Sequence, residues 1–441
     1  MQPTRVLTGI TTSGTPHLGN YVGAIRPAVA TSRVAGVESF YFLADYHALI
    51  KVQDPARVQR STLEIAATWL ACGLEPDKVW FYRQSDVPET TELTWLLACV
   101  AGKGTLNRAH AYKAAVDRNR EAGEDDDAGV TAGLFMYPVL MAADILLFNA
   151  HKVPVGRDQI QHIEMARDFA QRFNHLYGEH FVLPEVVIEE QVATLPGLDG
   201  RKMSKSYDNT IPLFAPRGEL RKLIYSIVTD SRAPGEAKDA DTSNVFQLYR
   251  AFASTGETSA MRQAFADGIA WGDAKAALFE RIDAEVAPLR EKYEALIAQP
   301  ARIEEILRAG AARLREERAL PTLRALRDAV GLRNLAAGAD ACGAGAGAPT
   351  RPVALPQFKQ YREADGRFYF KLVQGDRVLL QSEGFDSPRD AGLRIAAIKR
   401  DGLDPADCMV ASAPDVANED VLAALAAIRA ADAEKSASRA D

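Results

Sequence analysis

Four short apolar runs in the N-terminal part constrain the fold more than any other feature. They are Arg5-Val6-Leu7-Thr8-Gly9, Ser39-Phe40-Tyr41-Phe42-Leu43, Val79-Trp80-Phe81-Tyr82 and Lys152-Val153-Pro154-Val155. Each has the length of a strand, and each runs into a polar or glycine-containing turn followed by helical apolar spacing. Strands that alternate with helices pair in parallel through right-handed crossovers, so an α/β layer structure is expected. In such sheets ligands bind beyond the carboxyl ends of the strands, which makes the turns the place to look for chemistry.

The first turn is Thr11-Thr12-Ser13-Gly14-Thr15-Pro16-His17-Leu18-Gly19-Asn20. Strand, Gly/Ser/Thr-rich turn and helix together aim backbone N–H groups at an anion, although ordinary βα turns also use Gly and Pro. His17 opens the helix, where its imidazole can reach a phosphate, and Gly19 leaves room for a flat ring. His47, after the second strand, is read as a structural histidine in preference to a ligand. The helix 137–148 is the most informative, because Asp144 lies in an apolar run and a buried carboxylate needs a partner. Met141 and Asp144 are three apart, with Tyr137 one turn earlier on the same face. That face suits a flat aromatic ligand whose polar edge only donates; the alternative is an internal Arg or backbone N–H partner. Gly156-Arg157-Asp158-Gln159 ends the fourth strand, where Asp158 can accept from a ribose hydroxyl and Gln159 can bond an amino acid's polar end. Finally, Lys202-Met203-Ser204-Lys205-Ser206 follows a glycine-containing segment and can carry two ammonium groups onto a polyphosphate.

The rest of the chain sets the frame. With 47% hydrophobic and 25% charged residues among 441, it has an ordinary soluble composition and room for about two or three domains. No apolar stretch is long enough to span a bilayer, so no membrane partner and a cytoplasmic location are expected. A net charge of −7 excludes nonspecific coating of nucleic acid but leaves room for a local basic face. The four cysteines form no CxxC pair, and Cys72 and Cys99 read as small core residues. Residues 117–129 read as an exposed acidic loop. The helical pattern from residue 218 onward is expected to break at Pro300 and Pro321, with Arg313, Arg315, Arg318, Arg324 and Arg327 as a solvated basic face. The expected organisation is a catalytic domain over 1–217, a helical region over 218–335, an Ala/Gly/Pro linker over 336–354, a small α+β module over 355–410, and an amphipathic helix with a disordered tail over 411–441. Asp365-Gly366 marks a hairpin in the module.

Thr15 to Asn20 and Lys202 to Ser206 resemble the two signature motifs of the class I aminoacyl-tRNA synthetases. The run from Tyr137 to Asp144, with Gly156 to Gln159 behind it, resembles the tryptophan-specific branch. The resemblance covers residues 1 to about 335. It implies a Rossmann-like doubly wound parallel sheet, a helical anticodon-binding domain and a homodimer. It implies ATP with Mg²⁺, L-tryptophan and tRNA(Trp) as substrates and partners, with no metal held by the protein itself. Carried onto this chain, it assigns His17, Lys202 and Lys205 to catalysis. Thr11, Thr12, Ser13, Gly19, Asn20, Gly156, Arg157, Asp158 and Val192 would join them around ATP, along with Met203, Ser204 and Ser206. Asp144 would accept the indole N–H, Met141 would pack the ring, and Tyr137 and Gln159 would hold the α-amino group. Tyrosine-specific relatives typically place Gln where Met141 stands. The chain departs from the common pattern at Thr11-Thr12, at Arg157 and at Ala115, where relatives often have Gln-Pro, Glu and Lys. The C-terminal module resembles a small family of uncharacterised bacterial domains.

Overall fold

The first unit is built on β1 (Thr4–Thr11), β2 (Val37–Ala44), β3 (Trp80–Arg83), β4 (Lys152–Val155) and β5 (Glu185–Ile188). The computed structural model describes residues 3–12, 14–188, 195–332, 355–363, 365–375, 377–402, 409–413 and 416–437. The chain divides into two compact units, Met1–Arg333 and Asn334–Asp441. The five strands are parallel in the order β3-β2-β1-β4-β5, so the doubly wound expectation is met. The order reverses between β1 and β4. These two strands pair only at Val6 opposite Lys152, while β1 and β2 stay paired from Thr4–Val37 to Thr11–Ala44. A crevice therefore opens between the carboxyl ends of β1 and β4.

Strand residues point alternately to the two faces, and both faces are buried. Tyr41 and Leu43 enter one core with Leu18, Ile65, Trp69 and Phe81. Phe40 and Phe42 enter the other with Leu7, Tyr82, Val139, Phe148 and Phe169. The covering helices are α1 (Leu18–Asn20, continued by the π-helical Tyr21–Ile25 and by Arg26–Thr31), α2 (Asp45–Ala48), α3 (Pro55–Ala71), α4 (Glu89–Ala98), α5 (Lys103–Leu106), α6 (His110–Ala122), α7 (Ala132–Leu146) and α8 (Ile160–Tyr177). Asp54 caps α3 by accepting from the Ala56 N–H, with Pro55 at the first helical position. Cys99 is exposed, contrary to expectation, while Cys72 is half-buried and its thiol is pushed up to about 12 by burial. Residues 117–122 belong to α6 and are not loop; Gly123 ends the helix in the left-handed region at φ 72°.

Beyond the sheet come α9 (Arg217–Ser226), α10 (Asn244–Phe252), α11 (Thr255–Ala266), α12 (Trp271–Ile297), α13 (Pro300–Leu314) and α14 (Leu320–Ala329). Pro321 does not separate the last two. A π-helical stretch, Arg315–Ala319, carries the helix through, and Pro321 sits in the first turn of α14, where its missing N–H costs least. Four of the five arginines in the basic run are paired and not merely solvated, while Arg324 is exposed. Arg313 donates to the carbonyl oxygens of Asp77 and Val79, Arg315 grips Glu89 at 2.9–3.0 Å, Arg318 pairs with Glu38 and Arg327 with Glu92. These arginines fasten the helical region to the sheet layer.

Gly310 makes the same junction at close range. A Cβ there would lie 2.0 Å from the Phe81 carbonyl oxygen, so α13 rests on the backbone of β3 only because residue 310 has no side chain. Gly310→Ala is expected to cost at least about 2–3 kcal/mol of stability, read as a lowered midpoint in urea, because backbone cannot yield as a flexible side chain would.

The second unit is an antiparallel sheet of β6 (Gln357–Arg362), β7 (Phe368–Gln374), β8 (Arg377–Ser382) and β9 (Val410–Ser412), in that order. The Asp365-Gly366 hairpin joins β6 to β7, with Gly366 at φ 81°. Ser387 caps α15 (Pro388–Asp401), whose Ala391 and Ile398 pack on Phe370, Leu372 and Leu380. Val421, Leu425 and Ile428 of the last helix, α16 (Asn418–Ala437), enter the same core. The linker 336–354 lies outside the described residues, as does 438–441. Among the described residues, no helix is long and apolar enough to cross a membrane.

Candidate active site

The first turn and the lysine loop are tied together by backbone pairing. Leu18 N–H donates to Ile211 O at 2.9 Å, and Leu213 N–H donates to Pro16 O at 3.0 Å. The segment after the lysines thus runs alongside the segment holding His17. Lys205 is seated against the turn: a Cβ on Gly14 would meet its Nζ at 3.1 Å. Burial, followed by the charge of Arg57, pushes the Lys205 ammonium below the ordinary lysine range. Both lysines keep solvent-exposed side chains, with the Lys205 ammonium partly screened by the turn, whereas Met203 between them is buried in the core. The Met203 side chain therefore anchors the loop.

His17 is a neutral donor. Its Nδ1 accepts from the Asn20 backbone N–H at 3.3 Å, while the His17 backbone N–H donates to Asn20 Oδ1 at 3.1 Å, a reciprocal helix cap. An accepting Nδ1 leaves the proton on Nε2. Burial and then the nearby Lys205 charge lower the imidazole to about 4. Asn20 thus spends its carboxamide oxygen on the cap. Thr12 is fully buried in the turn, and its Oγ1 has no hydrogen-bond partner among the described residues. Ser13 and Val192 lie outside the described residues.

Sequence gave no hint of what shapes the lysine loop. Asn209 is 2% exposed, and its amide donates to Asp199 Oδ1 at 2.6 Å and to Lys202 O at 3.1 Å, while its Oδ1 accepts from Ser204 N–H at 2.8 Å. Gly197 must be glycine because a Cβ there would fall 2.4 Å from the Asn209 side chain. Only the position of Asn209 shortly after the serines could have flagged it.

At the crevice between β1 and β4 lies a cavity of about 430 Å³. Gly9, Phe42, Val153 and Val155 form its strand side, and Tyr137, Met141 and Asp144 its α7 side; His47, Thr11 and Gln159 also line it. Gly9 makes the room, since a Cβ there would strike the Phe42 ring at 2.5 Å. Asp144 is 2% exposed and does have internal partners, but neither of the expected kinds. His47 Nε2 lies 2.9 Å from Oδ2, and Gln84 Nε2 donates at 2.8 and 3.0 Å. Burial raises the carboxyl above its usual value, and the His47 and Gln84 hydrogen bonds oppose that rise. His47 therefore belongs to the cavity and its carboxylate.

Four residues at the far end form a chain. Tyr137 Oη lies 2.5 Å from His162 Nε2, His162 Nδ1 lies 2.9 Å from Gln159 Oε1, and Gln159 Nε2 donates to Asp158 Oδ2 at 2.8 Å. Asp158 in turn occupies the space left by Gly156, whose Cβ would lie 2.9 Å from Oδ1. Arg157 is exposed beside it.

His17 and His162 make stability depend on pH with a definite sign. Burial holds both at about 4, against about 6.5 in the unfolded chain. Between those values the unfolded state binds more protons, so their contribution is full above pH 6.5 and is lost as pH falls toward 4. His17→Gln should therefore lose about 2 kcal/mol less stability than the parent between pH 7 and pH 5, measured by urea unfolding.

Comparison with known proteins agrees with this geometry. The family model described as tRNA synthetases class I (W and Y) matches residues 1–287. The tryptophan–tRNA ligase of Xanthomonas axonopodis pv. citri is 75% identical over 399 residues, 90% of this chain and 92% of that one. That of Pseudomonas aeruginosa is 63% identical over 394 residues, 88% and 87% of the two chains. Among solved structures, tryptophanyl-tRNA synthetase from Campylobacter jejuni, complexed with ADP and tryptophan, is 41% identical with a TM-score of 0.68. It is covered completely, yet it accounts for 74% of this chain. Parallel sheet, paired signature segments and the Asp144 cavity thus converge with these matches, and the chain belongs to the class I aminoacyl-tRNA synthetases of the tryptophan and tyrosine family, among the tryptophan–tRNA ligases.

Proposed function

We propose that the chain activates L-tryptophan with ATP and transfers it to the 3′-terminal ribose of tRNA(Trp), with the cavity as the tryptophan site. The observation that carries this reading is the buried acceptor Asp144, one turn from Met141 on the same face of α7, in an apolar cavity at the switch point of the sheet. Indole has one donor and no acceptor, which matches an acceptor-only carboxylate. A phenol also needs a donor, and Met141 offers none. Tyr137 and Gln159 would take the α-ammonium.

ATP would lie over the first turn, with the adenine and ribose toward Gly156, Arg157 and Asp158 and the phosphates between His17 and the lysines. Thr11, the buried Thr12 hydroxyl, Gly19 and Asn20 would complete that side, with Ser204 and Ser206 on the loop. The tryptophan carboxylate attacks the α-phosphorus, the bond to the β-phosphate oxygen breaks, and pyrophosphate leaves. The ribose hydroxyl then takes the acyl group from the adenylate and releases AMP. No protein nucleophile is required; the chain orients the reactants and meets charge growing on the phosphate oxygens. His17 serves as a neutral Nε2–H donor, and Lys202 and Lys205 as mobile cations on the leaving pyrophosphate. Mg²⁺ would enter with ATP on phosphate oxygens and water, which fits a turn furnished with donors and cations.

The partner expectations extend this reading. A homodimer is part of this reading through the family resemblance, with the 70% exposed Trp95 of α4 as a side chain for its interface. A cytoplasmic location follows from the tRNA substrate. Formation of tryptophanyl-tRNA by the purified chain tests the proposal, and absence of charging with tRNA(Trp), tryptophan and ATP all present would refute it.

A further inference from the structure

His162 is buried at 3% exposure and lies behind the cavity wall, while its two neighbours Tyr137 and Gln159 line the cavity. It touches no ligand position itself, so its effect must pass through them.

The hydrogen positions in this group follow from one end. Gln159 Nε2 lies 2.8 Å from Asp158 Oδ2, an acceptor, so the amide nitrogen faces Asp158 and Oε1 faces His162. At 2.9 Å, Oε1 can only accept, so His162 Nδ1 carries a proton and donates it. A neutral imidazole has one N–H, which leaves Nε2 bare. The Tyr137 hydroxyl, 2.5 Å away, must then point its hydrogen at Nε2. Its oxygen lone pairs are left facing the cavity. Burial, with His110 nearby, favours the neutral form that this arrangement requires. A phenol free to rotate would offer either its hydrogen or its lone pairs.

We propose that His162 is a positioning residue that fixes the Tyr137 hydroxyl and the Gln159 carboxamide oxygen as acceptors, so that recognition demands a cationic α-amino group and not the indole ring alone. This rests on the assignment of Tyr137 and Gln159 to the α-ammonium of tryptophan. Two lone pairs converging on one point fit an ammonium, with its three donors, and disfavour a carboxylate or hydroxyl acceptor in the same place.

The test is binding, measured by titration calorimetry of the full chain with two ligands: tryptophan, and indole-3-propionate, which keeps the ring and carboxylate but lacks the amine. His162→Leu, which fills similar space without polar atoms, is expected to weaken tryptophan at least about tenfold and to shift indole-3-propionate by less than about twofold. His162→Gln can donate to Gln159 and accept from Tyr137 at once, so it should recover most of the preference for the amine. Partial unfolding would lower the number of sites per chain and leave the affinity ratio untouched. Equal weakening of both ligands in His162→Leu, or failure of His162→Gln to recover the ratio, would overturn the positioning role. Tyr137→Phe separates the two levels. If it leaves the tryptophan-to-indole-3-propionate ratio unchanged, the ammonium assignment itself fails. If it collapses the ratio while His162→Leu does not, only the role of His162 fails.

Discussion

Asp144→Asn should raise the tryptophan concentration needed for half-maximal ATP–pyrophosphate exchange by about 10- to 100-fold, with the ATP requirement nearly unchanged. The magnitude follows from a hydrogen bond to an ionised, buried acceptor, worth about 1.5–3 kcal/mol, or roughly 10- to 150-fold. The geometry adds a second penalty. Asp144 accepts from Gln84 Nε2 through both oxygens and meets His47 Nε2 at 2.9 Å. An asparagine can keep only one acceptor among those partners, and its NH₂ would face the NH₂ of Gln84. The replacement therefore competes for the oxygen that the indole N–H would use. The groups proposed for ATP, in the first turn, at Gly156 to Asp158 and on the lysine loop, do not include Asp144, so its affinity should hardly respond. Unchanged tryptophan kinetics in this variant would remove the basis for placing indole against α7.

Lys205→Ala is the complementary case. Its ammonium lies 3.1 Å from where a Cβ on Gly14 would be, against the turn proposed for the phosphates. Removing a preorganised charge from a site of developing phosphate charge costs about 10²–10³ in rate. The exchange rate should fall by that factor while tryptophan affinity, measured by calorimetry, stays constant. Lys205→Arg should recover only part, because a planar fork cannot follow a moving phosphate as a compact, flexible ammonium does. The depressed Lys205 pKa also fixes the direction of the alkaline limb. In the free enzyme the charge is lost below the ordinary lysine range, so kcat/KM should decline at lower pH than an exposed lysine would dictate. A normal rate in Lys205→Ala would move the phosphate chemistry away from this loop.

The parts of the molecule that could be read from sequence are those encoded locally. Strand alternation, the Asp54-Pro55 helix start and the Asp365-Gly366 hairpin depend on neighbours in the chain, and each is where the pattern puts it. The placement of the turns is legible for the same reason, since glycine, serine and proline at a strand end mark a break by themselves. What sequence missed are pairings between distant segments. His47 was read as structural because its carboxylate partner lies 97 residues away. Gln84 carries no motif, and its role exists only where β3 ends beside α7. The arginines of α13, the π-helical stretch and α14 read as solvated because their partners are distant in the chain, Glu38 on β2 and Glu89 and Glu92 on α4. Charge runs report composition, whereas burial decides whether a charge is solvated or paired. Met203 shows the same limit: the motif names the residue, but that its apolar side chain enters the core beside Leu18 is decided by packing.

The division of labour proposed here is that the lysine loop and first turn supply the reaction, and the Met141–Asp144 face supplies the identity of the amino acid. ATP–pyrophosphate exchange with the purified chain, run in parallel with tryptophan and with tyrosine, tests both halves at once. The account predicts rapid exchange with tryptophan and a rate with tyrosine lower by about 10³ or more, because a phenol placed against Met141 finds no donor for its oxygen. Exchange supported equally by tyrosine, or by neither amino acid, would contradict it.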